Sequence, residues 1–197
     1  MLGFFKKHHE KFHYYDRITG MTKIMRRYFV MNSFDGALTI FGLLIGSFTA
    51  NVTDPTLVIS IGIGTAIAIG CSGLTGAFVA ETAERASELK KLERALQRKL
   101  DNTDYKSAHD FASLITAIVN GLIPVLSALV LLFPFFFMSI PEAYYVSFGS
   151  ALVIFFGLGV FLGKFSSKDL FISGMKLLLS GIGCMALILF IEGLKGG

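Results

Sequence analysis

Long apolar runs alternate with short polar ones along the chain. The runs cover Tyr28 to Ala50, Thr56 to Ala80, Phe111 to Met138, Ala143 to Leu162 and Leu170 to Ile191. Each has the about twenty residues that a helix needs to cross a bilayer. The pattern predicts an all-α polytopic membrane protein with five transmembrane helices in one compact domain. After the second run the pattern changes without a break. No Pro or Gly occurs from Ala77 to Leu100, so the second helix is expected to continue past the bilayer into the cytosol. There Leu89, Leu92, Leu96 and Leu100 recur at three- and four-residue spacing, the mark of an amphipathic helix. Asn102 to Asp104 reads as a turn and Ser107 to Asp110 as the start of the next helix. The chain divides into a polar leader (1–27), helices one and two (28–80), the helical extension and loop (81–108), and helices three to five (109–197). Within the leader, Ile18 to Arg27 mixes apolar and basic positions and predicts an interfacial amphipathic helix.

Composition agrees with this class. Hydrophobic residues make up 53% of the chain and the mean hydropathy is +0.66, values of a membrane protein rather than a soluble domain. The net charge of +4 raises nucleic acid as a partner, but the cations cluster beside the spans and no nucleic-acid module is present. Seven Lys and Arg precede the first span, from Lys6 to Arg27, and seven lie between the second and third, from Arg85 to Lys106. The loops Asn51 to Pro55 and Ser139 to Glu142 have none. The positive-inside rule places the N-terminus in the cytosol and the C-terminus outside or in a lumen. The charged leader is unlike a cleavable signal peptide, so the first span is expected to direct insertion. Cys71 and Cys184 fall inside spans and imply no disulfide.

Against this apolar background Asp35 stands out in the first span. A charged side chain inside a membrane helix costs about 2.5–3.5 kcal/mol and normally faces a partner, a cavity or an ion path. The alternatives are hydration near the cytosolic end or capping of a neighbouring helix; an ion pair with Lys176 of the fifth span is a further option. Glu81, Glu84 and Glu88 form a second candidate, a carboxylate face at i, i+3 and i+7 on the cytosolic extension. Such a ladder attracts divalent cations. It reads equally as a solvated face with Arg85 pairing Glu81 and Lys91 pairing Glu88. His8, His9, Glu10 and His13 have metal-ligand spacing, but a leader resting on headgroups explains them more simply. His109 and Asp110 offer further metal ligands, but capping of the third helix explains them more simply. Gly42 and Gly46 form a small-xxx-small pair that admits either a helix of the same chain or a second copy. Pro124 is expected to kink the third span and Pro134 to end it.

Asp35-Gly36 with Thr39, Gly42 and Gly46, the Gly-rich second span running into an acidic helix, and Asn120-Gly121-Leu-Ile-Pro124 together resemble the vacuolar iron transporter family over nearly the whole chain. The resemblance implies a five-helix fold that forms a homodimer and carries Fe2+, and often Mn2+, out of the cytosol in exchange for protons. It places Asp35 on the translocation path and gives Glu81, Glu84 and Glu88 a metal-collecting role. Plant members carry a glutamate and a Ser-Met pair in span two; Thr65 and Ser72-Gly73 stand there in this chain. Met31 or the Cys71 thiol is then the candidate replacement for the thioether ligand, with Asn120 a further accessory. The partners implied are a divalent metal ion, protons, the lipid bilayer and a second copy; no resident cofactor is implied.

An intramembrane enzyme is disfavoured, because paired catalytic acids are required and the five apolar runs contain only Asp35. The alternative function is a non-transporting membrane metal sensor or assembly module built on the Leu89 to Leu100 stripe. Asp35 argues against it, since a scaffold gains nothing from an acid that is costly to insert.

Overall fold

The computed structural model describes residues 12–101, 103–165 and 169–195, and these are helical almost throughout. Of the leader's candidates, His8, His9 and Glu10 lie outside the described residues. A short helix, α1, covers residues 12–19. The long helices are α2 (Met21–Thr49), α3 (Pro55–Leu96), α4 (Asp104–Leu132), α5 (Glu142–Phe165) and α6 (Leu170–Lys195), with a 3-10 turn at Phe133–Phe136 after α4. Among the described residues five segments are long and apolar enough to cross a membrane, as the hydrophobic pattern predicts.

Local chemistry sets the boundaries. Gly20, at φ +62°, separates α1 from α2, and Asp16 Oδ1 accepts from Thr22 N at 2.6 Å to cap the new helix. The expected interfacial helix from Ile18 to Arg27 is therefore divided. Ile18 and Thr19 close α1, and Met21 to Arg27 are the first two turns of α2. At the far end of α2, Asn51 takes the left-handed conformation while Val52 N donates to Ser47 O at 3.0 Å, a Schellman closure. Asp54 then caps α3 through Thr56 N at 2.8 Å, with Pro55 at the first helical position.

With 42 residues, α3 is about 63 Å long at 1.5 Å per residue, roughly twice the hydrocarbon thickness of a bilayer. The continuation past Ala80 thus has its physical basis in an uninterrupted run of helix formers. It ends four residues before Leu100, where Gln97 turns left-handed and Arg98 N donates to Glu93 O at 3.2 Å. Glu93 Oε1 then accepts from Leu100 N at 2.8 Å. The helix after it starts at Asp104, three residues earlier than expected, with Thr103 capping Lys106 N at 3.4 Å. His109 and Asp110 consequently sit inside α4 and cap nothing.

The described residues form two compact units. One comprises residues 12–29 with Cys71–Gly121. Here Met21 is fully buried, Tyr15 stacks near Phe111 at 5.6 Å, and α3 meets α4 at Gly73, where a Cβ would lie 2.5 Å from the Asn120 carbonyl oxygen. The other comprises Val30–Gly70 with the described residues of 122–195. Its core centres on Phe41, edge-on to Phe148 and Phe155, with Ile40, Leu44 and Leu131 buried around it. In the same unit α5 packs along α6.

The 3-10 turn with Pro134 ends the helical ladder of α4 and leaves last-turn carbonyls without helical donors. The fully buried Ser147 hydroxyl donates to one of them, Leu131 O, at 2.7 Å. Ser147→Ala is expected to lower stability by about 0.6–1.5 kcal/mol, read as a lower midpoint of thermal unfolding in detergent.

Two expectations change within this unit. The Gly42 and Gly46 pair faces α6 of the same chain: a Cβ on Gly42 would lie 3.3 Å from Ile188 Cδ1, and one on Gly46 3.7 Å from Glu192 Oε1. It is an intrachain packing face. Since α6 runs on to Lys195, Glu192 stands on a spanning helix just past the apolar run read from the sequence, half-buried. Its contact point, Gly46, lies eleven residues from Asp35 on α2, about 16 Å along the axis. The two acids form no dyad, which would need them about 3 Å apart.

Candidate functional site

Asp35 is the midpoint of α2, fourteen residues from either end. Its position on the helix is fixed by its neighbour. Gly36 lies against the backbone of Pro124 and 2.6 Å, measured from an ideal Cβ, from Ser127 Oγ. With that face held to α4, Asp35 is left exposed on the protomer, together with Met31 one turn before it and Thr39 one turn after. The Thr39 hydroxyl donates to the Asp35 carbonyl at 2.7 Å. Among the described residues no cation pairs with the Asp35 carboxylate, Lys176 included. Met31, Asp35 and Thr39 thus offer a thioether, a carboxylate and a hydroxyl along one exposed stripe of a spanning helix.

The other accessory residues are placed differently. Thr65 commits its hydroxyl proton to Ile61 O at 2.8 Å, and Cys71 is an exposed free thiol on α3. Asn120 is buried, donating from Nδ2 to Thr116 O at 2.9 Å beside the Gly73 contact. Its amide bonds back into its own helix, and it is the Asn120 backbone carbonyl that meets Gly73 of α3.

Glu81, Glu84 and Glu88 line one cavity of about 650 Å³ in the first unit, together with Tyr28, Arg85 and His109. The three carboxylates differ in environment. Glu81 is buried: Tyr28 donates its hydroxyl proton to Oε1 at 3.2 Å, and Arg85 Nη2 lies 3.2 Å from Oε2. The expected Arg85–Glu81 pair therefore exists, but it is sequestered rather than solvated. Glu84 and Glu88 are exposed, and Glu88 Oε2 stands 3.9 Å from His109 Nδ1. Among the described residues no three His, Cys, Asp or Glu side chains close on a common point at metal-ligand distance. The cavity gathers ligand types around a guanidinium instead.

Pattern reading assigns no role to Tyr28 and does not join His109 to Arg85. Tyr28 is 53 residues from Glu81 and His109 is 24 from Arg85, so no local spacing announces either contact. The one available signal is a His two turns into a helix that opens on polar residues.

The VIT family pattern matches residues 26–113, a stretch that contains Asp35, all three cavity glutamates and His109. An uncharacterized protein of Methanocaldococcus jannaschii is 33% identical over 170 residues, covering 84% of this chain and 87% of its own. With five membrane-length helices and these matches, the chain is a multi-pass membrane protein that belongs to the VIT family, a family of membrane metal ion transporters.

Proposed function

We propose that the protein moves Fe2+, Mn2+ or both out of the cytosol in exchange for protons, through a pore between two copies lined by α2. The observation that carries this reading is Asp35, exposed at the midpoint of a spanning helix with no ion-pair partner among the described residues. A carboxylate facing lipid is costly. A second copy or an aqueous path over the Met31, Asp35 and Thr39 stripe removes that cost, and twofold symmetry sets two carboxylates opposite each other. One carboxylate pair then binds either a divalent ion or protons, and this competition is the basis of exchange.

The distribution of Lys and Arg favours a cytosolic N-terminus and an outer or lumenal C-terminus. On that orientation the Glu81, Glu84 and Glu88 cavity opens on the cytosolic side and raises the local concentration of cation before entry.

The test is Mn2+ and Fe2+ uptake into proteoliposomes with an acidic lumen, alongside a lumenal pH dye. Metal is expected to enter as the lumen becomes more alkaline. Glu81→Gln, Glu84→Gln and Glu88→Gln combined should slow uptake several-fold at low metal and little at saturating metal. Folded, oriented protein that moves neither metal would favour the sensor or assembly role.

A further inference from the structure

The three contacts around Arg85 describe a cation site with the cation already supplied by the chain. Arg85 Nη2 is 3.2 Å from Glu81 Oε2, and Nη1 is 3.4 Å from His109 Nδ1. A guanidinium only donates, so His109 meets it with the Nδ1 lone pair and carries its proton on Nε2. Glu88 Oε2 lies 3.9 Å from that same Nδ1. Two lone pairs facing each other have no hydrogen bond to make, and the distance is too long for one. Two ligands of one tetrahedral ion, each about 2.0–2.2 Å from it, stand about 3.4 Å apart, so the exposed Glu88 carboxylate has roughly half an ångström to close on Nδ1 to share a metal with it. Tyr28 holds the other oxygen of Glu81, at 3.2 Å, and so orients Oε2 towards the guanidinium.

The resident cation is imperfectly housed. Arg85 Nε and His109 Nε2 are both buried without a hydrogen-bond partner among the described residues, and the two side chains are only 8% and 9% exposed. For Arg85 Nε, turning the side chain into the adjoining cavity would hydrate the unpaired donor, a gain that favours the exchange. A divalent ion bound by Glu81 Oε2, Glu88 Oε2 and His109 Nδ1 replaces the guanidinium contacts, and Arg85 then turns into the adjoining cavity, which it lines.

We propose that Glu81, Glu88 and His109 form a mixed carboxylate and imidazole site for a borderline divalent cation, held closed by Arg85, which the metal displaces. This rests on the reading of the cavity as a metal-receiving site. The imidazole adds a nitrogen ligand, favouring transition metals over Mg2+ and Ca2+. Exposed Glu84 lies outside the set, as an attracting charge.

The experiment is Mn2+ binding to the purified full chain in detergent, followed by electron paramagnetic resonance, in an Asp35→Asn background so that the spanning carboxylate does not contribute. Bound Mn2+ is expected to show nitrogen coupling from one imidazole, and His109→Gln to abolish it and weaken binding at least tenfold. Arg85→Gln is expected to tighten binding at least tenfold; if it does not fold, Arg85→Lys, which retains a single-point charge, should tighten it less. Absence of nitrogen coupling, or Arg85 variants that bind no more tightly than the parent, overturns the proposal. Nitrogen-coupled Mn2+ in this background, beside a folded parent protein with Asp35 intact that transports nothing, would sink the transport reading and leave this site standing. Transport without the coupling does the reverse.

Discussion

Asp35→Asn is expected to reduce metal movement by at least about 100-fold while leaving the folded protein as stable as the parent. On the proposed function, removing the carboxylate deletes both the ion's charged ligand and the exchangeable proton. At an effective dielectric near 20, each unit of charge attraction at about 4 Å is worth roughly 4 kcal/mol, and every 1.4 kcal/mol lost is tenfold in affinity. Stability is spared because the carboxylate is exposed on the protomer and has no ion-pair partner among the described residues. A neutral amide is also cheaper to hold in the bilayer. The measurement is initial Mn2+ uptake beside a thermal unfolding midpoint on the same preparation. Uptake that persists within a few-fold in well-folded Asp35→Asn would remove Asp35 from the path.

The next residue carries the largest expected effect on folding. A Cβ on Gly36 would collide with the Pro124 carbonyl and stand 2.6 Å from Pro124 Cα, and these are backbone atoms that no rotamer change moves aside. Gly36→Ala is therefore expected to destabilise by about 3 kcal/mol, at the upper end of overpacking costs, and Gly36→Leu to yield no monodisperse protein. The control is Gly149→Ala, whose added methyl meets nothing within 4 Å and should change stability by less than about 0.5 kcal/mol. Thermal unfolding with size-exclusion homogeneity reads both. Equal midpoints for Gly36→Ala and Gly149→Ala would show that α2 and α4 are not pressed together as described.

The five spans are legible in the sequence because a bilayer forces each helix to carry a full apolar run. Asp35 is legible for the same reason, as the exception. What escapes pattern reading depends on contacts between distant segments. The Arg85–Glu81 pair is announced by its four-residue spacing; its burial depends on Tyr28 and His109, from other helices. Gly42 and Gly46 announce close approach but not its partner, which is settled by Ile188 and Glu192 near the end of the chain. Glu192 itself is missed because hydropathy falls off at Ile191 while the helix runs on. The division at Gly20 is a single backbone torsion, outweighed in any window average by the amphipathic run around it.

The hydroxyl groups of the long helices carry a consequence for biogenesis. Thr39, Thr65, Thr75, Ser127 and Ser150 each donate to the carbonyl four residues back in their own helix, at 2.7–3.1 Å. Those five protons are satisfied as soon as each helix forms, with no neighbour needed. For these hydroxyls insertion is uncoupled from assembly, and close approach is left to backbone contacts such as Gly36 with Pro124. A chain built this way withstands polar substitutions at those hydroxyls during insertion, and fails later, at docking, when a glycine is lost.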